Sequence, residues 1–148
     1  MIQIFETQPE NFQTKLQCAG CYLEWNEKIL LLQRSEKSSE GGCWGVPAGK
    51  LESGEEPFHA AKRELFEETG INIQDESRIQ FLKTLYIRKP HVEYLYHMFK
   101  VHLDRGPEVV LDPKEHQDYL WASNEDIKNL KLMAGAKVAF QHYRSSNF

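Results

Sequence analysis

At 148 residues the chain has the length of one domain, taken as residues 1–148. Its 41% hydrophobic and 27% charged residues match globular usage and exclude a disordered chain. A net charge of −4 argues against a nucleic-acid coat protein, and the longest apolar run considered, Ile29 to Leu32, is strand-sized, far short of the ~18 residues of a membrane span. The opening MIQIFETQPE has no basic segment leading into an apolar one, so it does not read as a secretory signal.

In chain order, residues 16–24 read as a strand rich in apolar and aromatic residues. Lys28 to Arg34 reads as a second, with Trp25-Asn26-Glu27 as the turn of a hairpin. Cys18 and Cys21 have the spacing of redox and zinc pairs, but side chains three apart on a strand point to opposite faces. With Cys43 the count is three, which gives no disulfide framework and suits a reducing cytoplasm. Ser35 to Gly42 is a polar loop, and Trp44 to Lys50 is punctuated by Gly and Pro. Residues 57–69 read as a helix, with Pro57 in its first turn and Gly70 at its C-terminal stop. Residues 79–88 and 93–103 read as strands joined through Lys89-Pro90-His91. Tyr119 to Ala122 is a short strand, Ser123 caps a short helix, and residues 134–144 form a final helix. Hairpins alternate with crossovers, so the expectation is an α+β fold, a mixed β-sheet covered by helices on both faces.

The informative segment is GKLESGEEPFHAAKRELFEETGI, Gly49 to Ile71. A helix advances about 100° per residue. With Glu64 at zero, Glu68 falls near +40° and Glu67 near −60°, so three carboxylates share one face, by the rotation of about 100° per residue. Ala61, Leu65 and Phe58 form the adjoining stripe, the expected core contact, which sets the carboxylates beside the packed face. Like charges at this spacing oppose the helix, and Glu67 and Glu68 sit near its anion-disfavouring C-terminus. A hard divalent cation with oxygen ligands relieves both penalties. If the substrate is a polyanion, the cation would also supply the positive charge that an acidic chain lacks.

The segment fits Gly-x5-Glu-x7-Arg-Glu-apolar-x-Glu-Glu-x-Gly-apolar at every fixed position. By residue frequencies the seven fixed identities coincide by chance on the order of once in a hundred million starts. This pattern resembles the signature box of the Nudix hydrolases, and the flanking order of strands and helices is similar to that family's α/β/α sandwich. The resemblance implies hydrolysis of nucleoside diphosphates linked to another group, with Mg2+ or Mn2+ as cofactor. It implies metal ligation by Glu64, Glu67, Glu68 and the carbonyl of Gly49, and a brace between Arg63 and Glu55. Metals in such a site neutralise the phosphates and activate water.

Outside the box, Arg34 at a strand end matches the place where similar enzymes hold substrate phosphate. Glu115, six residues before Trp121 in DPKEHQDYLWAS, resembles a mobile-loop acid that serves as metal ligand or general base. His116 beside it is expected to be solvated. Tyr86, sixteen residues after Gly70, resembles a substrate-binding tyrosine of dinucleoside-polyphosphate hydrolases, although WGVPAGK departs from the run they carry before the box. Trp44 is open between stacking on a base and sealing the core.

The catalytic set expected is therefore Glu64, Glu67, Glu115 and Arg63, with Glu64 or Glu115 as the water-activating base. The expected partner is a small nucleotide-type molecule, with no nucleic-acid polymer and no membrane; a homodimer stays open. Two alternatives are a nucleotide-sensing module that does not cleave, and an isoprenoid diphosphate isomerase on the same fold, for which Cys43 would be the added cysteine.

Overall fold

The computed structural model describes residues 1–146. In chain order its elements are β1 (Gln3–Phe5), β2 (Leu16–Trp25), β3 (Lys28–Arg34), β4 (Trp44–Gly45), β5 (Ala48–Lys50), α1 (Pro57–Thr69), β6 (Ile79–Lys89), β7 (Val92–His102), β8 (His116–Ala122), α2 (Asn124–Asn129) and α3 (Ala136–Ser146). A 3-10 turn, Glu76–Arg78, leads into β6. The sheet runs β1-β6-β7-β2-β3-β4, with β5 also on β2 and β8 also on β3. β2 and β7 pair in parallel, from Leu16↔Tyr94 to Glu24↔His102, and the other pairings are antiparallel. This is the mixed sheet of an α+β, α/β/α sandwich. Among the described residues no helix is long and apolar enough to cross a membrane.

Side-chain alternation divides the core into two layers. Ala19, Cys21 and Leu23 of β2 face α1, with Leu30 and Leu32 of β3, and meet Ala60, Ala61 and Leu65 of the helix. Tyr22, Ile29 and Leu31 face the other way, onto Ala139, Phe140 and Tyr143 of α3. Burial on both faces is why ILLL shows no polar alternation. It also separates the C-x-x-C thiols. Cys21 is fully enclosed, with its thiol pushed up to about 12 by burial, whereas Cys18 is half-buried on the opposite side.

The local signals act as their chemistry requires. Asn26 and Glu27 make the two-residue hairpin with φ of 53° and 61°, the left-handed pair that matches strand twist. Gly70 ends α1 at φ 74°, donating its N–H to the Phe66 carbonyl. Ser123 and Asp126 form a reciprocal capping box on α2. Three elements differ from expectation. β1 exists only by adding to the β6 edge, Phe5 opposite Tyr86, so a three-residue segment carries no periodicity of its own. β8 begins at His116 rather than Tyr119, because Arg34 extends the ladder to it past a bulge. α3 starts two residues late, after Gly135 at φ 82°.

α1 is tied to the sheet through Leu65, which is 1% exposed. Leu65→Ala should cost about 2–5 kcal/mol, the range for a truncated buried leucine. Urea unfolding measures it, and a loss under about 1 kcal/mol would mean that α1 is not anchored there.

Candidate metal and phosphate site

The buried stripe of α1 contains Ala60, Ala61, Leu65 and Thr69, and Glu68 among them at 4% exposure. The helical phase had set Glu68 beside the packed face; the structure turns it into that face. The reason is a local partner: the backbone N–H of Ala48, on β5, donates to Glu68 Oε1 at 3.1 Å. Glu64, one turn earlier, lies on the backbone of Gly49. A Cβ at Gly49 would stand 2.1 Å from Glu64 Cδ and 2.4 Å from both carboxylate oxygens. Only glycine permits this approach. β5 is held in turn by pairing with β2, Ala19 opposite Gly49.

Glu64 and Glu68 lie close enough for each carboxyl to shift the other's protonation. Burial raises the protonation range of Glu64, with Arg63 pulling against it. Burial raises that of Glu68 further, and Glu64 and then Glu115 add to the effect. The pair is short of positive charge.

Arg63 supplies what positive charge there is and joins three segments. Its Nε and one terminal nitrogen fork onto Glu55 at 2.8 Å each. That same terminal nitrogen reaches the Lys50 carbonyl at 3.0 Å. The other donates to Glu64 at 2.9 Å and to Glu67 at 3.2 Å. The Arg63–Glu55 pair thus ties the 52–55 turn to α1. Arg63 also holds Glu67, 52% exposed, through the same nitrogen that meets Glu64, and the Glu67 charge acts on Glu64, so the guanidinium keeps the exposed carboxylate at the edge of the buried Glu64–Glu68 pair.

Among the described residues no three acidic, histidine or cysteine side chains converge closely enough to enclose an ion on their own. The donor set nonetheless fits a hard divalent cation in kind. It consists of carboxylate oxygens, partly buried, next to a glycine backbone with no side chain in the way, and burial leaves them uncompensated.

Glu115 faces this cluster closely enough for its charge to act on Glu68. It is exposed, but it does not sit on a free loop. Asp112 builds the turn, accepting from Lys114 N–H at 3.0 Å, and the Glu115 carbonyl accepts from Ser35 N–H at 2.9 Å. His116 departs from the expected solvated state. It is 6% exposed, its Nδ1 has no partner, and burial pushes the imidazole down to about 4. Arg34, opposite His116, is folded back onto its own loop, its Nε donating to the Ser39 carbonyl at 2.7 Å. Tyr86 stands elsewhere. Leu85 and Ile87 point toward α3, so Tyr86 points to the other face, where it meets Phe12 edge-on at 5.5 Å between ring centroids.

A cavity of about 320 Å³ opens beside the carboxylates. Arg34, Lys50 and Gly49 line it together with Cys18, Tyr22, Tyr94, Tyr96 and Phe140. Gly49 therefore borders both the carboxylate pair and the cavity. Sequence reasoning missed this cavity. Its residues run from position 18 to 140, each reading as ordinary core, and no spacing links them. Trp44 does not line it and packs against the α3-side core. Nor does Cys43, which is buried.

Fold and site together put a buried carboxylate pair beside an aromatic-lined cavity on an α+β sandwich. The NUDIX domain pattern matches residues 15–143, and the chain belongs to that family. It is 29% identical, over 78% of its length, to a nucleoside triphosphate pyrophosphatase/Nudix hydrolase fusion protein of Bifidobacterium longum, of which it spans 23%. It is 32% identical to the uncharacterized Nudix hydrolase YvcI of Bacillus subtilis, over 78% of this chain and 71% of that one. Among solved structures, a MutT NUDIX hydrolase from Burkholderia pseudomallei superposes with a TM-score of 0.73 at 25% identity, covering 86% of this chain and 96% of that one. Other relatives are named for differing substrates: 8-oxo-dGTP, CTP and ADP-ribose.

Arg63 holds the Glu55 carboxyl down to about 2, against a usual value near 4.5. A depressed carboxylate stabilises the fold above its unfolded value, and that contribution is lost as pH falls toward the folded one. Glu55→Gln should therefore be less stable than the native chain above pH 4.5, and the gap should close between pH 4.5 and 2. Chemical denaturation across that range checks it; a gap independent of pH would remove the ion pair as its cause.

Proposed function

We propose that the protein is a divalent-metal-dependent pyrophosphohydrolase that cleaves the P–O–P bridge of a nucleoside diphosphate linked to another group. The observation that carries this reading is the position of Gly49. On one side its backbone lies under the Glu64 carboxylate; on the other it lines a cavity large enough for a small ligand's apolar body. A phosphate chain crossing Gly49 would lie on the carboxylate site with its organic end in the cavity.

In this reading Glu64, Glu67, Glu68, Glu115 and the Gly49 carbonyl hold Mg2+ or Mn2+. Bound metal neutralises phosphate charge and makes water more acidic. Glu67 reaches the site by leaving Arg63, which keeps its fork on Glu55. Arg34 releases Ser39 and, with Lys50, meets the phosphates at the cavity. Glu64 or Glu115 takes the proton of the attacking water. The three free cysteines accord with a reducing cytoplasm. The complete carboxylate set speaks against a sensor that binds without cleaving. Cys43, the cysteine of the isomerase alternative, is buried outside the cavity.

The test is a panel of nucleoside triphosphates, dinucleoside polyphosphates, ADP-ribose and nucleotide sugars with Mg2+. Phosphate release is followed with and without added pyrophosphatase. Turnover should require the cation, and full turnover in excess chelator would overturn the reading.

Glu67→Gln should cost several orders of magnitude in kcat with the fold intact. Normal activity per folded molecule together with lost thermal stability would make Glu67 structural. Glu115→Gln should lower kcat by about 10²–10⁴, the range of general-base catalysis, with KM little changed. A change under about threefold, well below that range, would leave Glu64 as the base.

A further inference from the structure

The cavity beside Gly49 joins two cations to an apolar, aromatic lining. Arg34 and Lys50 line it together with Tyr22, Tyr94, Tyr96, Ile87, Met133 and Phe140, with small residues between them. Among the described residues no carboxylate, side-chain amide or aliphatic hydroxyl lines it. The Tyr22 and Tyr96 hydroxyls face each other at 3.2 Å, and burial pushes both phenols up, so both stay neutral. Glu40 comes to the rim from outside, but its Oε1 accepts from Ala134 N–H at 2.7 Å. Of the lining backbone acceptors, the Met133 carbonyl takes Ala136 N–H and the Gly135 carbonyl takes Ala139 N–H, both at 3.0 Å.

This lining bears on which base fits. Guanine and 8-oxoguanine carry a ring N–H and an exocyclic amine side by side, a donor pair that a carboxylate or amide oxygen answers well and that phenol oxygens, two of them already paired with each other, answer poorly. A site built to hydrogen-bond such groups discriminates by about 10⁴–10⁵, whereas an apolar pocket separates similar ligands by about 10–200-fold. Tyr94 and Tyr96, the half-buried aromatics of the lining, favour any base through its face, whereas Tyr22 is already stacked on Tyr143.

Resting on the pyrophosphohydrolase reading, we propose that this cavity seats the base by stacking and apolar contact, without reading its hydrogen-bonding edge. The protein is then a base-tolerant nucleotide hydrolase, and it does not select oxidised guanine nucleotides.

The experiment measures kcat/KM with Mg2+ for dATP, dCTP, dTTP, dGTP and 8-oxo-dGTP. All five should fall within about 200-fold of one another, the range of an apolar pocket. Ala136→Phe, which fills the cavity at the start of α3, should raise KM for all five in parallel by tenfold or more. If that variant misfolds, Val46→Leu makes the same test from the 45–48 segment. Glu40→Gln should leave the base profile unchanged. A preference for dGTP or 8-oxo-dGTP beyond about 200-fold, more than an apolar pocket gives, overturns the proposal, as does a base preference lost in Glu40→Gln, or a filled cavity that alters no KM. If none of the five is hydrolysed, the functional reading itself is in question, and equilibrium dialysis with AMP, CMP, UMP and GMP reads the base profile directly. Similar affinities there support the proposal; a guanine preference, or no binding, overturns it.

Discussion

Two carboxylates of α1 are packed against a strand, and the rest of the site is arranged around that fact. Burying a carboxylate is costly unless hydrogen bonds or opposite charge compensate it. Glu68 has the Ala48 N–H, and Glu64 has Arg63, but the two also repel each other. The helix is held there by its apolar neighbours: Ala60, Ala61 and Leu65 meet Ala19, Cys21 and Leu23 of β2. Stability from the core thus fixes charges in a place they would not choose, and that stored electrostatic demand is what suits the site to a cation.

Arg63 makes the arrangement tolerable. Its planar fork satisfies both oxygens of Glu55 while its remaining donors reach a carbonyl and two further carboxylates. A lysine offers one point charge on a flexible stem and could not bridge three segments at once. The 52–55 turn, β5 and α1 are thereby one unit, and Gly49 keeps its place under Glu64.

The sheet divides the labour. β2 carries it, with Ala19 paired to Gly49 and facing α1, and Gly20 facing α3. A Cβ on Gly20 would fall 2.2 Å from the Tyr96 hydroxyl, so this glycine is what lets the phenol lie across the strand. The carboxylates gather on the α1 side and the aromatic cavity lies on the α3 side. The two meet at Gly49, at the edge between them.

The helix, its caps and its carboxylates were legible in the chain because their chemistry is local. A period of 3.6, a proline and a glycine at the right ends, and charges at i, i+3 and i+4 are all properties of neighbouring residues. The Arg63–Glu55 brace, eight residues apart, came only through the family pattern, since nothing in the spacing itself says that a loop turns back. What the tertiary structure alone decided is where those groups look. Glu68 turned inward because β5 offers it an N–H, Glu67 turned onto Arg63, Tyr86 turned away toward Phe12, and His116 was buried where a loop had been expected. The cavity belongs to this second class entirely. Cys18, Tyr96 and Phe140 become neighbours only when β2 pairs with β7 and α3 closes over both. Contacts between residues so far apart in the chain are set by packing, and packing leaves no period in a single strand or helix from which it could be read.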